Sequence, residues 1–331
     1  MTPHVLVLGA GVTGLSTALR LREAGAEVAV LSAMRPSEHP RAHPAGTWPP
    51  YPASLRAAAV WYPYHVDDPR VDRWSVDTLA ELYRLMEEPG TGVYPVTFTE
   101  LFRDAAIEHA WSSGLRQFAA VPLERLPAGY GAGWEMEVPF VETPIYMPWL
   151  ERRFLGLGGR IESRFVRSVD EVAAPGRVVV NCTGLGARRL LDDADVYPSR
   201  GQIVRVRAPD VRAWTVADDA RDGLTYVFAR GDGVVLGGTA EDGVWDEDPA
   251  PEAIVAIRAR TSALVPATST AEVLEIACGL RPQWRGGRIR VEREDRADGS
   301  VVIHSYGHGG AGFTLSWGCA DEVARLALTA L

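Results

Sequence analysis

The sequence predicts an α/β protein, and three observations carry that prediction. Apolar β-branched runs alternate with helically spaced segments along the chain. A Gly-x-Gly-x-x-Gly turn sits between the first strand and the first helix. A second strand, glycine loop and helix close the chain about three hundred residues later.

The elements follow in order. Val5–Leu8 is a short apolar run suited to a buried parallel strand. Gly9-Ala10-Gly11-Val12-Thr13-Gly14 follows at once, and Leu15, Ala18, Leu19 and Leu21 then recur at helical spacing up to Ala24-Gly25. Val28–Leu31 completes a βαβ unit. Gly9 permits the tight turn, Gly11 lets a pyrophosphate approach the backbone, and Gly14 lets helix and strand pack closely. The helix N-terminus offers unpaired N–H groups and partial positive charge to phosphate. A bound dinucleotide is expected. The acid that customarily ends the second strand is replaced by Ser32, and Arg35 nearby keeps an NADP reading open.

Eight prolines between residues 35 and 70 exclude one long helix there, and Ala45–Trp48 reads as an irregular loop. Residues 73–87 form an amphipathic helix through Trp74, Val76, Leu79, Leu82, Tyr83, Leu85 and Met86. Strands are expected near Val93–Leu101 and Gly133–Phe140, a helix over Ile145–Leu155, and short strands at Gly159–Glu162 and Phe165-Val166. Val178–Asn181 is a buried strand ending in the turn Cys182-Thr183-Gly184-Leu185-Gly186. Strands over Gly201–Val206, Leu224–Ala229 and Gly233–Gly238 follow, the last two joined at Gly231-Asp232-Gly233. A helix over Ala253–Leu264 and strands over Ala271–Leu280 and Ile289–Arg293 lead to Val301–His304, the loop 305–312 and the helix Phe313–Leu328. A second helix N-terminus suits a flavin, whose reduced ring carries negative charge.

With 34 basic against 43 acidic residues, the net charge is −9, which disfavours nucleic acid. No apolar stretch reaches the roughly 18 residues of a membrane span. The opening residues lack signal-peptide features, Thr329-Ala330-Leu331 is not a peroxisomal address, and Cys182, Cys278 and Cys319 include no C-x-x-C pair. A cytoplasmic protein without membrane or nucleic-acid partners is expected; a homodimer stays open. His304 and His308 sit on a strand and a loop rather than one helix face, so no metal is expected. His308 is expected to orient its loop by hydrogen bonding, and Cys319 to be a core thiol.

VLVLGAGVTGLSTAL at 5–19, AGTWPPY at 45–51, NCTGLGA at 181–187, RGQIVRV at 200–206, LRP at 280–282 and IHSYGHGGAGFTLSWGCA at 303–320 resemble, in order, the FAD-dependent D-amino acid oxidase and D-aspartate oxidase family. The resemblance implies a Rossmann-type FAD-binding domain of discontinuous sequence (1–50, 142–190 and 270–331) and a mixed-sheet α+β substrate domain (51–141 and 191–269). It implies non-covalent FAD, and a D-amino acid and O2 as reactants. Hydride passes from Cα to flavin N5, and the products are a 2-oxo acid, ammonia and hydrogen peroxide. It also implies substrate contacts at Arg281, Tyr226 and the Gly310 carbonyl. A guanidinium suits the first role, because it gives a carboxylate two parallel hydrogen bonds. Cofactor contacts are implied at Gly9, Gly11, Val12, Thr13, Gly14, Ser32, Gly46, Thr47, Val166, Thr183, Gly309, Gly310, Ala311, Gly312, Phe313 and Thr314. The second active-site tyrosine common in the family is Asp222 here. D-aspartate oxidase would need a further cation, for which Arg221 and Arg230 are candidates. An NADP-dependent dehydrogenase and a flavin-binding module without turnover are the readings from other classes.

Overall fold

The computed structural model describes residues 4–38, 50–63, 66–219 and 223–331. In chain order the elements begin with β1 (Val5–Leu8), α1 (Val12–Glu23), β2 (Val28–Ser32), α2 (Ala53–Arg56), α3 (Val71–Met86) and β3 (Val93–Phe102). They continue with β4 (Phe118–Ala120), β5 (Ala132–Val141), α4 (Thr143–Gly156), β6 (Arg160–Ser163), β7 (Val178–Asn181), α5 (Ala187–Leu190) and β8 (Val196–Arg207). Then come β9 (Trp214–Asp219), β10 (Gly223–Arg230), β11 (Gly233–Gly237), β12 (Glu241–Asp242) and α6 (Pro251–Leu264). The chain ends with β13 (Glu272–Trp284), β14 (Arg290–Asp295), β15 (Val301–Tyr306) and α7 (Gly312–Leu328).

These elements form two compact units. The first takes Met1–Val93, Val141–Pro198 and Arg281–Leu331. Its six-stranded sheet runs β14-β15-β7-β1-β2-β6. The strands from β15 to β6 are parallel, and β14 is an antiparallel edge. β1 and β7 are buried along their whole length, as continuous valine and leucine runs require when both sheet faces are covered. The chain leaves β1 for β2 on one side, while β7 and β15 lie on the other. That reversal is the switch point at which open α/β sheets bind ligands, and Gly9 stands at it. α1 packs against α7 and α4, and α7 packs against α3.

The second unit takes Tyr94–Phe140 and Ser199–Leu280. Its nine-stranded sheet runs β12-β8-β11-β10-β9-β3-β5-β4, with β13 also pairing β8. β8, β11, β10 and β9 are antiparallel neighbours, whereas β3 and β9 pair in parallel. α6 packs on β10 and β11 and buries Ile257 against Val204, Val206, Val227, Val234 and Leu236. The turn between β10 and β11 is a two-residue hairpin of Gly231 and Asp232, closed by the pair Arg230 and Gly233.

Three expectations are corrected. Phe165-Val166 forms no strand: the Arg164 amide closes onto the Ser32 carbonyl (2.9 Å), and the chain then leaves the sheet to pack Val166 against its core. β13 runs four residues past Leu280, because the Pro282 carbonyl and Gln283 find partners in the loop after β15. β9 was not expected at all; its two aspartates mask the alternation of Trp214 and Val216. No helix among the described residues is long and apolar enough to cross a membrane.

α3 and α7 touch backbone to backbone at Gly318. A Cβ there would lie 2.4 Å from the Trp74 carbonyl oxygen, and the Gly318 amide donates to Thr78 Oγ1 at 2.9 Å. Gly318→Ala would gain about 0.5–1 kcal/mol of helix preference and lose about 1–3 kcal/mol to overpacking that no rotamer relieves. The variant is expected to melt a few degrees below wild type; an equal or higher Tm would show that the helices can part without cost.

Candidate active site

The first glycine turn is fixed by its neighbours. Gly9 has φ +100°, and a Cβ on it would lie 2.6 Å from the Cys182 carbonyl oxygen. A Cβ on Gly14 would lie 2.0 Å from the Gly9 carbonyl oxygen. Neither position admits a side chain. Gly11 faces Ser54, whose Oγ would be 3.2 Å from a Cβ there and accepts the Val12 N–H at 3.0 Å. Val12 and Thr13 are buried in the first turn of α1. Both amides lie ahead of the intrahelical ladder; Ser54 takes that of Val12, and that of Thr13 lies where an anion is a natural acceptor.

Ser32 ends β2 with its hydroxyl already engaged: Oγ accepts the Ala10 N–H at 3.3 Å and donates to the Met34 carbonyl at 2.7 Å. Arg35 turns away from any 2′-phosphate role. Its Nε and Nη2 donate to Glu151 Oε1 at 2.9 and 2.5 Å, and Ser37 donates to the same carboxylate through N–H and Oγ. The Glu151 side chain is 3% exposed, so the guanidinium is spent on neutralising a buried charge.

The second glycine loop joins β15 to α7. The Gly309 N–H donates to the Pro282 carbonyl at 2.7 Å, and Gln283 pairs antiparallel with His308. The pairing stops there: the Ala311 N–H donates to the His308 carbonyl at 2.9 Å and closes a turn over Gly309 and the exposed Gly310, so Arg281 lies one residue before the Pro282–Gly309 link. A Cβ on Gly312 would lie 3.8 Å from Val12 Cγ1, so the N-termini of α7 and α1 stand side by side. Ala311 and Phe313 are buried, and Thr314 bonds the backbone of Tyr62 through its hydroxyl, accepting at 3.2 Å and donating at 3.0 Å. The Thr183 amide and hydroxyl both donate to Asn181 Oδ1, which tightens the turn after β7 against Gly9. Val166 packs into the sheet core. Gly46 and Thr47 lie outside the described residues.

Two buried polar atoms beside Gly309 have no hydrogen-bond partner: His308 Nε2 and Gln283 Oε1. His308 Nε2 thus plays no part in orienting the loop. His304 is apart from it, fully buried, with Nε2 3.1 Å from Glu294 Oε2. No group of three or more metal-ligating side chains occurs among the described residues. Cys319 is fully buried, and burial pushes its thiol well up.

In the second unit Tyr226 lies on β10, paired with Gly237 and Val216. Its ring stacks on Phe228 at 4.7 Å, and a Cβ on Gly237 would fall 2.0 Å from it. Arg200 and Gln202 both donate to Glu241, at 2.9 and 2.8 Å, and Gln202 Oε1 accepts the Ala250 N–H at 2.7 Å. The RGQ segment is thus a strut between β8, β12 and the start of α6. Arg230 is ion-paired with Asp232 at 3.1 Å; Arg221 and Asp222 lie outside the described residues.

Sequence reasoning missed Ser54, Glu151 and Gln283. Ser54 sits in a proline-rich segment with no periodicity to mark it, and Glu151 reads as an ordinary helix surface residue.

Two helix N-termini side by side and a glycine turn closed to side chains define a dinucleotide-binding protein of the α/β class. The chain belongs to the FAD dependent oxidoreductase family, whose profile matches residues 4–326. It is 42% identical to a D-amino-acid oxidase of Rubrobacter xylanophilus over 99% of this chain and 97% of that protein. It is 38% identical to a D-amino-acid oxidase of Streptomyces coelicolor over 98% and 96% of the two chains. The human D-aspartate oxidase is 32% identical over 98% and 94%. In fold it is similar to the glycine oxidase of Bacillus cereus, with a TM-score of 0.77 at 19% identity over 99% and 95% of the chains. The cofactor is FAD, and the turn fits it: Gly9 and Gly14 let strand and helix close on each other, Gly11 would let a pyrophosphate approach the backbone, and the α7 terminus would offer donors to a flavin ring.

Burial pushes the His308 imidazole down from 6.5 to about 4, with the Asp68 charge opposing. An unfolded chain therefore binds the more protons between those values, and stability contributed by neutral His308 is complete above about pH 6.5 and lost as pH falls towards 4. His308→Gln should flatten the fall in stability across that interval, measured by urea unfolding from pH 4 to 7. An unchanged slope would mean that this ring does not govern it.

Proposed function

We propose that the chain catalyses oxidative deamination of D-amino acids, giving an imino acid that hydrolyses to a 2-oxo acid and ammonia, with O2 reduced to hydrogen peroxide. The observation that carries the reading is the Gly309–Pro282 link, which ties the residue after Arg281 to the residue before Gly310 beside two helix N-termini. In this reading the first unit holds non-covalent FAD. The bound flavin supplies the two-electron acceptor.

The residues themselves would do the rest. Arg281 would hold the substrate carboxylate through a planar pair of hydrogen bonds, and the Gly310 carbonyl would accept a proton of the amine. Tyr226 would add a hydroxyl to the carboxylate. Loss of hydride from a neutral amine asks for orientation more than for an acid or a base, so no dedicated proton-transfer residue is needed. The D-amino-acid oxidase relatives at 38–42% identity support the substrate class. The Arg230–Asp232 ion pair removes one of the two cations named for an acidic side chain, which counts against a D-aspartate oxidase.

Two outcomes are expected. The purified protein should be yellow, release its flavin on acid denaturation, and form peroxide from D-alanine but not L-alanine; comparable rates on the two enantiomers would overturn the reading. Arg281→Ala strips a carboxylate of its counter-ion in the site, a loss of about 3–5 kcal/mol, so kcat/KM should fall by roughly two to four orders of magnitude. Arg281→Lys should recover only part, since an ammonium lacks the fork, and flavin content should hold near wild type. Near-normal turnover by Arg281→Ala would exclude the carboxylate role.

A further inference from the structure

The strand end that carries Arg281 is tied to the turn that carries Gly310 by a short and weak ladder. Its recorded backbone links are the Gly309 N–H to the Pro282 carbonyl and the bridge between Gln283 and His308. Pro282 has no N–H to give, and Gly307 and Gly309 take left-handed φ of +84° and +53°. Ladders of this kind specify their register poorly unless side chains pin them.

One side chain reaches both strands at the ladder's end. Asp193, between α5 and β8, accepts the Tyr306 hydroxyl at 2.6 Å and the Trp284 indole N–H at 3.0 Å, both on Oδ2. Its Oδ1 accepts the Asp195 N–H at 3.0 Å. Tyr306 is the last residue of β15 and Trp284 the last of β13. Their rings meet edge to face at 6.1 Å, and a Cβ on Gly307 would lie 2.5 Å from Trp284 Cβ. Arg290, opposite Tyr306 on β14, donates to the Tyr306 oxygen at 2.6 Å, which leaves the phenolic proton for Asp193. Burial by itself would raise the Asp193 carboxyl; the Tyr306 hydroxyl, the Asp195 amide, the Trp284 indole and the Arg290 charge outweigh it and hold the group below the usual carboxylate range. The side chain is 12% exposed, so these are charge-assisted bonds largely out of water.

We propose that Asp193 is a positioning residue: by holding Tyr306 and Trp284 on one carboxylate oxygen, it locks the pairing of Gln283 with His308 and so the place of Arg281 relative to the turn that carries Gly310. The inference rests on the reading of Arg281 and Gly310 as the carboxylate and amine contacts. A one-residue slip would displace one contact from the other by about 3.3 Å along the strand, and misplacement by about 1 Å can already cost about a hundredfold in rate.

The test separates relative placement from general damage. Tyr306→Phe removes one oxygen, and Asp193→Asn keeps the shape while losing the charge. Each is purified as holoenzyme and assayed on D-alanine, with propionate as a competitive inhibitor that offers a carboxylate but no amine. The expected result is flavin content near wild type, a propionate Ki within about threefold of wild type, and kcat/KM on D-alanine at least tenfold lower. The double variant should be no more than about twofold worse than the worse single, because both changes break the same bond. Unchanged kcat/KM in both variants overturns the proposal. So does an equal loss in Ki and kcat/KM, which marks a structural role only. A wild-type protein inactive on every D-amino acid overturns the functional reading and this proposal with it, whereas an active wild type with unaffected variants overturns this proposal alone.

Discussion

The contact between Gly9 and the Cys182 carbonyl oxygen is the constraint from which the first unit is built. β1 lies between β2 and β7 with its amides and carbonyls committed to both, so its end can turn only where no side chain stands in the way. Gly9 turns against Cys182, and Gly14 then brings α1 onto the carbonyl of Gly9 itself. A Cβ at either point would push the helix off the sheet. Because α1 starts so close to the strand ends, its first amides face the switch point rather than solvent. α7 reaches the same place from the other end of the chain, with Gly312 against Val12. Two partial positive charges thus converge on one crevice edge without a lysine or arginine being placed there.

Polar groups elsewhere in the two units are used to fix backbone. Glu151 gathers Arg35 and Ser37, Glu241 gathers Arg200 and Gln202, and Asp193 gathers Trp284, Tyr306 and the Asp195 amide. In each case one carboxylate ties its own element to another stretch of chain: Glu151 to residues 35–37, Glu241 to residues 200–202, and Asp193 to the ends of both β13 and β15. Such groups are costly if left unpaired and specific when satisfied, so each fixes where its stretches sit. The contrast with His308 and Gln283 is instructive. These two are as deeply buried but each carries a polar atom without a hydrogen-bond partner, and Gln283 Oε1 is the one that crowds Gly309.

The sequence by itself determined the parallel strands and the two glycine loops, because those signals are local. A run such as Val178–Asn181 can only be buried on both faces, and Gly9, Gly11 and Gly14 answer sterics within one βαβ unit. It also marked Arg281 and the loop 307–312 as belonging together, through resemblance. Only the tertiary structure decided how they meet. The continuation of β13 through Pro282 depends on a partner strand about twenty-five residues away in sequence, which no local pattern encodes. The same holds for Arg35, whose sequence position invites a phosphate but whose partner, Glu151, lies on another helix. Ser54 and Asp193 carried no mark at all, since a hydroxyl or carboxylate in a loop looks like solvent-facing surface until folding brings a helix terminus or two strand ends to it. Long-range pairing of polar groups is set by which segments the core draws together, and that is information the chain expresses only once it is packed.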